Sequence, residues 1–161
     1  MIDWNDAEKT ISEEMEFLKN NISLSPFEQN DPIKCEHCLL RNIAILIVSG
    51  KLKLRKIIYK NNSIWQTEKK FNSSTLKKHG GNWHNDQILT IEKYFLANGV
   101  KVEKEPALYY GRADLGAGNN MFIEVGTINL YKLYLNLSSL NSCKIILVPT
   151  DNYLLEFDLW K

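Results

Sequence analysis

The chain of 161 residues contains little cysteine, proline or glycine and has no long hydrophobic run. Its three cysteines cannot all pair within one chain, so we expect no disulfide framework and predict a reducing, cytoplasmic location. Eight glycines and four prolines exclude collagen-like and low-complexity classes. The longest apolar run, Ile43–Val48, falls far short of the ~18 residues of a membrane helix. The polar start Met1–Asp6 is not typical of a secretion signal, and no membrane partner is expected.

Charge is distributed unevenly along the chain, although the formal net charge is only +1. Residues 1–36 hold nine acidic side chains and three lysines, a balance of −6, whereas residues 51–78 hold nine basic side chains and one glutamate, a balance of +8. A basic block attracts polyanions because each phosphate contact releases counterions; the alternative is a solvated, lysine-rich surface. The residues predicted to contact nucleic acid are Lys51, Lys53, Arg55, Lys56, Lys60, Lys77 and Lys78.

The spacing of apolar residues predicts the elements of the first half of the chain. An amphipathic helix, a loop, an apolar segment that is either helix or strand, and a β-hairpin are expected at 4–20, 21–34, 36–48 and 52–71, respectively. The Ser-, Asn- and Gly-rich stretch 72–82 is the best candidate boundary. We therefore divide the chain into an N-terminal helical and hairpin extension, 1–75, and a core, 76–161.

The second half of the chain has a clear order of helix, three strands, helix and strand, followed by a closing strand. The expected ranges are 83–98, 100–109, 110–115, 121–125, 130–140, 144–148 and 153–160, with Asn129 as the N-cap of the second helix. This order predicts an α/β fold with a central mixed β-sheet flanked by helices.

Two carboxylates lie ten residues apart across a Gly- and Asn-rich turn. Asp114 is near the end of one predicted strand, and Glu124 lies inside the next apolar strand, so the two can converge. Adjacent carboxylates beside apolar residues are costly unless a cation neutralises them, and Mg²⁺ often binds through one or two carboxylates. The alternative is that Asp114 sits in the turn and Glu124 pairs with Arg112.

Three motifs in this order resemble the PD-(D/E)XK, or restriction-endonuclease-like, nuclease superfamily over roughly residues 80–150. Gly80-Gly81-Asn82-Trp83-His84 is similar to a Gly-Gly-x-x-His start of the first core helix. Gly111-Arg112-Ala113-Asp114-Leu115 resembles the motif around the metal-binding Asp, with Ala113 in place of Pro. Phe122-Ile123-Glu124-Val125-Gly126 resembles the hydrophobic-hydrophobic-Glu-x-Lys motif, with Gly126 in place of Lys.

The missing lysine has a candidate replacement in the next helix. On a strand, residue 126 would point to the same face as Glu124, so Gly126 would leave a space beside the carboxylate. Lys132 lies in the first turn of the following helix and is expected to reach back across that space. Some branches of the superfamily look similar, with Glu-x-Gly on the strand and a relocated Lys. The alternative is a degenerate site that binds nucleic acid without cutting it.

The resemblance implies further site residues. The first core helix often contributes a polar group, and its apolar stripe places His84 and Gln87 on the inward face; a plain role at the helix start is the alternative. Glu105 is a candidate third acid. Asp114 and Glu124, joined by the Val125 carbonyl, would hold Mg²⁺, with Mn²⁺ as a substitute, and Lys132 would orient the attacking water.

The function implied is Mg²⁺-dependent hydrolysis of DNA phosphodiester bonds, leaving a 5′-phosphate. Two alternatives stay open: a non-catalytic nucleic-acid-binding module on the same fold, and a protein-interaction domain that uses the acidic N-terminal helix. That N-terminal region is also where a second copy of the chain or a protein partner is expected. Cys35-Glu36-His37-Cys38 lacks the second ligand pair of a structural zinc site, so we interpret it as a helix turn.

Overall fold

The computed structural model describes residues 2–20, 35–66 and 82–160, which form four helices and six strands. The helices are α1 (Trp4–Asn20), α2 (Glu36–Val48), α3 (Trp83–Ala97) and α4 (Leu130–Ser139). The strands are β1 (Lys53–Ile58), β2 (Val102–Lys104), β3 (Leu115–Ala117), β4 (Met121–Val125), β5 (Lys144–Val148) and β6 (Tyr153–Asp158). None of the described helices is long and apolar enough to cross a membrane.

All six strands belong to one mixed sheet with the order β1-β6-β5-β4-β3-β2. β4 and β5 run parallel, with α4 as the crossover between them, and the other neighbouring strands pair antiparallel. Successive residues of β5 point into opposite hydrophobic clusters, which explains why this strand is a continuous apolar run. The predicted α/β class with a central mixed sheet is confirmed.

Helices cover both faces of the sheet. α1, α2 and α4 pack on one face around Ile11, Ile43 and Leu137, which are fully buried. α3 packs on the other face, where Ile91 and Phe95 meet the apolar side chains of β3 and β4. Residues on opposite sides of β4 therefore face different helices, and this directs Glu124 toward α4 while Ile123 and Val125 face α3.

Over residues 52–66, the part of the range that the structure describes, the predicted β-hairpin is wrong. β1 pairs along its whole length with β6, nearly one hundred residues later in the chain. After β1, Asn61 and Asn62 adopt left-handed backbone conformations, and Ser63–Trp65 forms a short 3-10 helix instead of a returning strand. Trp65 is buried against Tyr94 and Phe95, with ring centroids 5.3 and 5.9 Å away, so packing of the indole replaces local strand pairing. Residues 67–71 lie outside the described residues.

The other predicted elements agree with the structure in type and differ in length. The ambiguous segment 36–48 is a helix, and the strands expected at 100–109 and 110–115 shorten to β2 and β3, of three residues each. The intervening chain forms a turn in which the Leu108 amide donates to the Gly111 carbonyl. The predicted loop 21–34 lies outside the described residues, as does the candidate boundary 72–82 except for Asn82.

The N-terminal segment is integrated with the core, because α1 and α2 share a hydrophobic cluster with α4 and β1 completes the sheet. We predict that Ile43→Ala lowers the free energy of unfolding of the whole chain by about 2–5 kcal/mol, the usual cost of a large buried cavity. Denaturant titration followed by circular dichroism and by tryptophan fluorescence should give one coincident transition, shifted to lower denaturant. Val48→Ala, at an exposed position of α2, is the control. Two separated transitions would contradict this integration.

Candidate active site

The two predicted carboxylates converge at neighbouring strands. Asp114 directly precedes β3; its amide donates to the Ile123 carbonyl at 3.1 Å, and its Oδ2 accepts from the Val125 amide at 2.7 Å. Glu124 lies in β4, and its side chain is only 9% exposed. The Val125 amide thus orients the Asp114 carboxylate directly, whereas burial restricts the Glu124 carboxylate.

Lys132 provides the cation beside Glu124, as predicted. Its Nζ lies 3.1 Å from both Glu124 Oε1 and Oε2 and also donates to the Arg112 carbonyl. The lysine is placed by the start of α4, where the Asn129 side chain accepts from the Tyr131 and Lys132 amides. The alternative pairing of Glu124 with Arg112 is wrong, because the Arg112 guanidinium donates to the Glu105 carbonyl.

Burial dominates the electrostatics of Glu124. It raises the pKa of this carboxyl above its ordinary value, although the Lys132 ammonium favours the ionised form and opposes the shift. The charge of Asp114 adds to the increase, and His84 acts in the opposite direction. A single lysine therefore does not fully offset desolvation and the second carboxylate, and a further cation at this position would be favourable.

A buried asparagine that the sequence analysis missed holds the loop above the carboxylates. Asn136 is 1% exposed; its Nδ2 donates to the Tyr110 and Lys132 carbonyls at 3.0 Å, and its Oδ1 accepts from the Tyr110 amide at 2.9 Å. Gly111 follows with a φ of +76°, and a Cβ there would lie 3.0 Å from Lys132 Cε. The only sequence signal was a polar residue on the apolar face of α4.

His84 approaches the carboxylates from α3. Its Nε2 lies 3.4 Å from Asp114 Oδ2, and its side chain is 45% exposed. Gly126 lies beside the same imidazole, since a Cβ on this residue would be 3.6 Å from His84 Cδ2. β4 ends at Val125 and Gly126 has a φ of +84°, so the strand alternation expected at residue 126 does not extend that far.

Gln87, the other residue predicted from α3, has a different partner. It is buried, and its Nε2 donates to Asn62 Oδ1 at 2.7 Å. Asn62 Nδ2 in turn donates to Asp151 Oδ1, which also accepts from the Trp83 indole nitrogen at 2.6 Å. The role of Gln87 in this structure is to tie α3 to the turn after β1 and the loop before β6.

The carboxylates of Asp114 and Glu124 supply the side-chain oxygen donors for a metal ion, and the Val125 carbonyl as a third donor stays a prediction. Glu105 is exposed on a left-handed turn, and its amide donates to the Asp114 carbonyl. Within the described residues, no group of three or more His, Cys, Asp or Glu side chains is placed to hold a metal ion. The contacts that the described residues make with the Asp114 carboxylate, from His84 and the Val125 amide, use Oδ2 and leave Oδ1 open. Hard oxygen donors beside a buried, incompletely neutralised carboxylate fit Mg²⁺, which commonly keeps several waters.

The predicted nucleic-acid-binding residues of β1 are three strands away from β4, about 14 Å at ordinary strand spacing. Lys51 donates to the Ser138 carbonyl, Arg55 pairs with Glu156 at 2.9 Å, and Lys56 donates to Asn5. Lys53 and Lys60 are exposed. Lys77 and Lys78 lie outside the described residues.

The Cys35–Cys38 segment begins a helix, as predicted. Cys35 is the N-cap of α2, and its Sγ accepts from the Cys38 amide at 3.2 Å. His37 Nε2 lies 2.8 Å from Glu14 Oε1 of α1, so the imidazole joins two helices.

A scan against protein-family models, a search of curated proteins and a search of solved structures each found no match to this chain.

The raised pKa of Glu124 predicts a pH-dependent gain of stability for Glu124→Gln in EDTA. Because the folded chain holds this proton more tightly than the unfolded chain, ionisation of Glu124 lowers the stability of the parent as pH rises above its unfolded pKa. The melting temperature of the variant should therefore improve relative to that of the parent between pH 4 and pH 8. A relative decrease over this interval would contradict the assignment.

Glu156→Gln is the matched control. Burial opposes ionisation of Glu156, but hydrogen bonds from Arg55 and Lys144 outweigh it and lower the pKa of this carboxyl. Its ionised form therefore adds stability above the unfolded pKa, and this stability is lost as pH falls through the folded pKa. Glu156→Gln should lose melting temperature relative to the parent as pH rises, the opposite of Glu124→Gln.

Proposed function

We propose that this protein is a Mg²⁺-dependent nuclease that hydrolyses phosphodiester bonds of DNA, on a core similar to the PD-(D/E)XK superfamily. The observation that carries the proposal is the convergence of Asp114, Glu124 and Lys132, with the ammonium 3.1 Å from both oxygens of the buried glutamate. The order α3, β2, β3, β4, α4, β5 supports it, because the motif residues lie in that order beside neighbouring strands.

The chain supplies the metal ligands as Asp114, Glu124 and the Val125 carbonyl. Bound Mg²⁺ would neutralise charge on the scissile phosphate and make water a better nucleophile. Asp114 keeps Oδ1 available while Oδ2 is held by the Val125 amide, so the backbone orients this ligand. Glu124 is oriented by Lys132, and its burial favours any additional positive charge at the site.

Lys132 acts on the reacting phosphate and water through its ammonium group. The Asn129 cap and the Arg112 carbonyl fix the two ends of this side chain, so its position needs little reorganisation during the reaction. It offsets negative charge that develops on the phosphate and donates a hydrogen bond to the attacking water. His84, 3.4 Å from Asp114, is exposed enough to contact the same phosphate.

The basic residues in and beside β1 divide by role. Lys53, Arg55 and Lys60 are exposed, and of these Lys53 and Lys60 attract the DNA backbone toward this edge of the sheet. Arg55 and Lys51 stabilise the edge itself through Glu156 and the end of α4.

Asp114→Asn and Glu124→Gln should each abolish cleavage, because each variant loses a metal ligand. Affinity for DNA measured in EDTA should stay within a few-fold of the parent, since removing a negative charge does not weaken phosphate binding. Cleavage of plasmid and of single-stranded DNA is compared in Mg²⁺, Mn²⁺ and EDTA. Glu156→Gln, which removes a carboxylate from β6, should cleave like the parent.

The outcomes separate the candidate functions. Full activity in either site variant would refute the nuclease assignment at these residues. DNA binding without cleavage by the parent in Mg²⁺ or Mn²⁺ would favour the non-catalytic module. A parent that neither binds nor cleaves DNA, but whose partner depends on residues 4–20, would favour the protein-interaction domain.

Lys132→Ala should reduce the cleavage rate about 10²-fold or more, the scale for loss of one positioned catalytic group. DNA affinity should change much less, because other cations contact the backbone. Single-turnover cleavage separates the chemical step from binding. Lys104→Ala, which removes an exposed lysine from β2, is the control. Unchanged single-turnover cleavage by Lys132→Ala would exclude the relocated role.

The double variant Gly126→Lys with Lys132→Ala returns an ammonium to the position after β4. We expect only partial recovery of the rate. There is space for a Cβ, 3.6 Å from His84 and 3.8 Å from Trp83, but the φ of +84° strains any side chain at residue 126.

A further inference from the structure

A groove of about 800 Å³ opens beside the carboxylate site. Its walls come from five places: the start of α1, the start of α3, the segment after β4, the segment after β5 and the start of β6. Gly126 and His84 line the groove and also border the carboxylate site, so the two are continuous. Its volume lies within the range of about 300–1,000 Å³ of small-molecule pockets.

The lining of the groove suits a flat, partly polar ring. Trp83 is partly exposed and provides aromatic surface, whereas Trp4 and Tyr153 line the groove as buried side chains; Asn5, Thr127 and Thr150 provide polar groups. Trp83 is held in place by its 2.6 Å hydrogen bond to Asp151.

The charge at the groove selects which part of a nucleotide enters it. Asp3 lines the groove, with Oδ1 accepting from the Asn5 amide at 2.8 Å and from the Asp6 amide at 3.4 Å. A carboxylate at this wall repels phosphate, whereas Lys132 and His84 offer positive charge or a donor at the other end of the site. The base therefore belongs in the groove and the phosphate beside the carboxylate site.

We infer that this groove binds one unpaired nucleobase next to the scissile phosphate, so that the substrate is single-stranded DNA or the unpaired end of a duplex. A base inside a duplex is covered on both faces by its neighbours and must leave the stack before the Trp83 indole can contact it. Stacking on aromatic side chains recognises unpaired strands with little dependence on sequence. This inference rests on the proposed nuclease function for the location of the phosphate.

The test measures binding of the full chain in EDTA to three labelled probes: a short oligothymidylate, a blunt duplex of the same length, and a duplex with a single-stranded overhang. We expect the oligothymidylate and the overhang to bind about tenfold more tightly than the blunt duplex, the scale of one base-stacking contact. Equal affinity for all three probes, or no binding of any probe, would overturn the inference.

Filling the groove should remove the preference for unpaired probes over the blunt duplex. Thr127→Trp adds an indole at an exposed lining residue, and Asn5→Trp does so from the opposite wall. Each should weaken binding of the unpaired probes about tenfold and leave the blunt duplex unchanged, with an unaltered circular dichroism spectrum. Asn141→Trp, exposed before the other end of β5, is the matched control and should bind like the parent.

Two results distinguish this inference from the nuclease proposal. If Thr127→Trp and Asn5→Trp both keep the preference for unpaired probes, the groove assignment is wrong even where Glu124→Gln abolishes cleavage. If both groove variants lose the preference while Glu124→Gln cleaves like the parent, the base site stands and the catalytic assignment fails.

Discussion

The buried carboxylate of Glu124 is the constraint on which the rest of this site depends. A charge that is nine-tenths removed from water needs a partner, and the nearest one comes from α4 and not from the strand itself. The pairing of Glu124 with Lys132 places requirements on the neighbouring segments. Lys132 must emerge at the start of α4, the loop at Gly111 must leave room for its side chain, and Asn136 must hold that loop through the backbone of Tyr110.

The crossover from β4 through α4 to β5 makes this arrangement geometrically direct. Because β4 and β5 are parallel neighbours, α4 has to pack across the sheet and return, which places its N-terminal turn near the end of β4. Asn129 then fixes the first turn by accepting two amide hydrogen bonds. A lysine in that turn reaches Glu124 with a short connection, and the same helix buries Leu133 and Leu137 in the core.

Local patterns predicted the helices and the central strands because their apolar periodicity agrees with their final environment, as for Glu36–Val48 and Lys144–Val148. From local patterns Asp114 and Glu124 could converge, and the resemblance to the PD-(D/E)XK superfamily added the expectation that they do so with Lys132. The hairpin failed because the partner of β1 is β6, and a pairing between distant strands leaves no signal in the local sequence. Asn136 and Asp151 were missed for a similar reason: their hydrogen-bond partners are brought together only by the tertiary fold.

The glycine at residue 126 links the position of the cation to the shape of the groove. Its φ of +84° takes the backbone out of the extended conformation of β4, and a Cβ on it would face Trp83 and His84, while its amide still donates to the Val148 carbonyl at 2.8 Å. A lysine here would carry backbone strain and would occupy the space between the groove and the carboxylates. Placing the ammonium on α4 avoids both costs. The position of Lys132 on α4 and the open groove are therefore both compatible with the backbone conformation of Gly126.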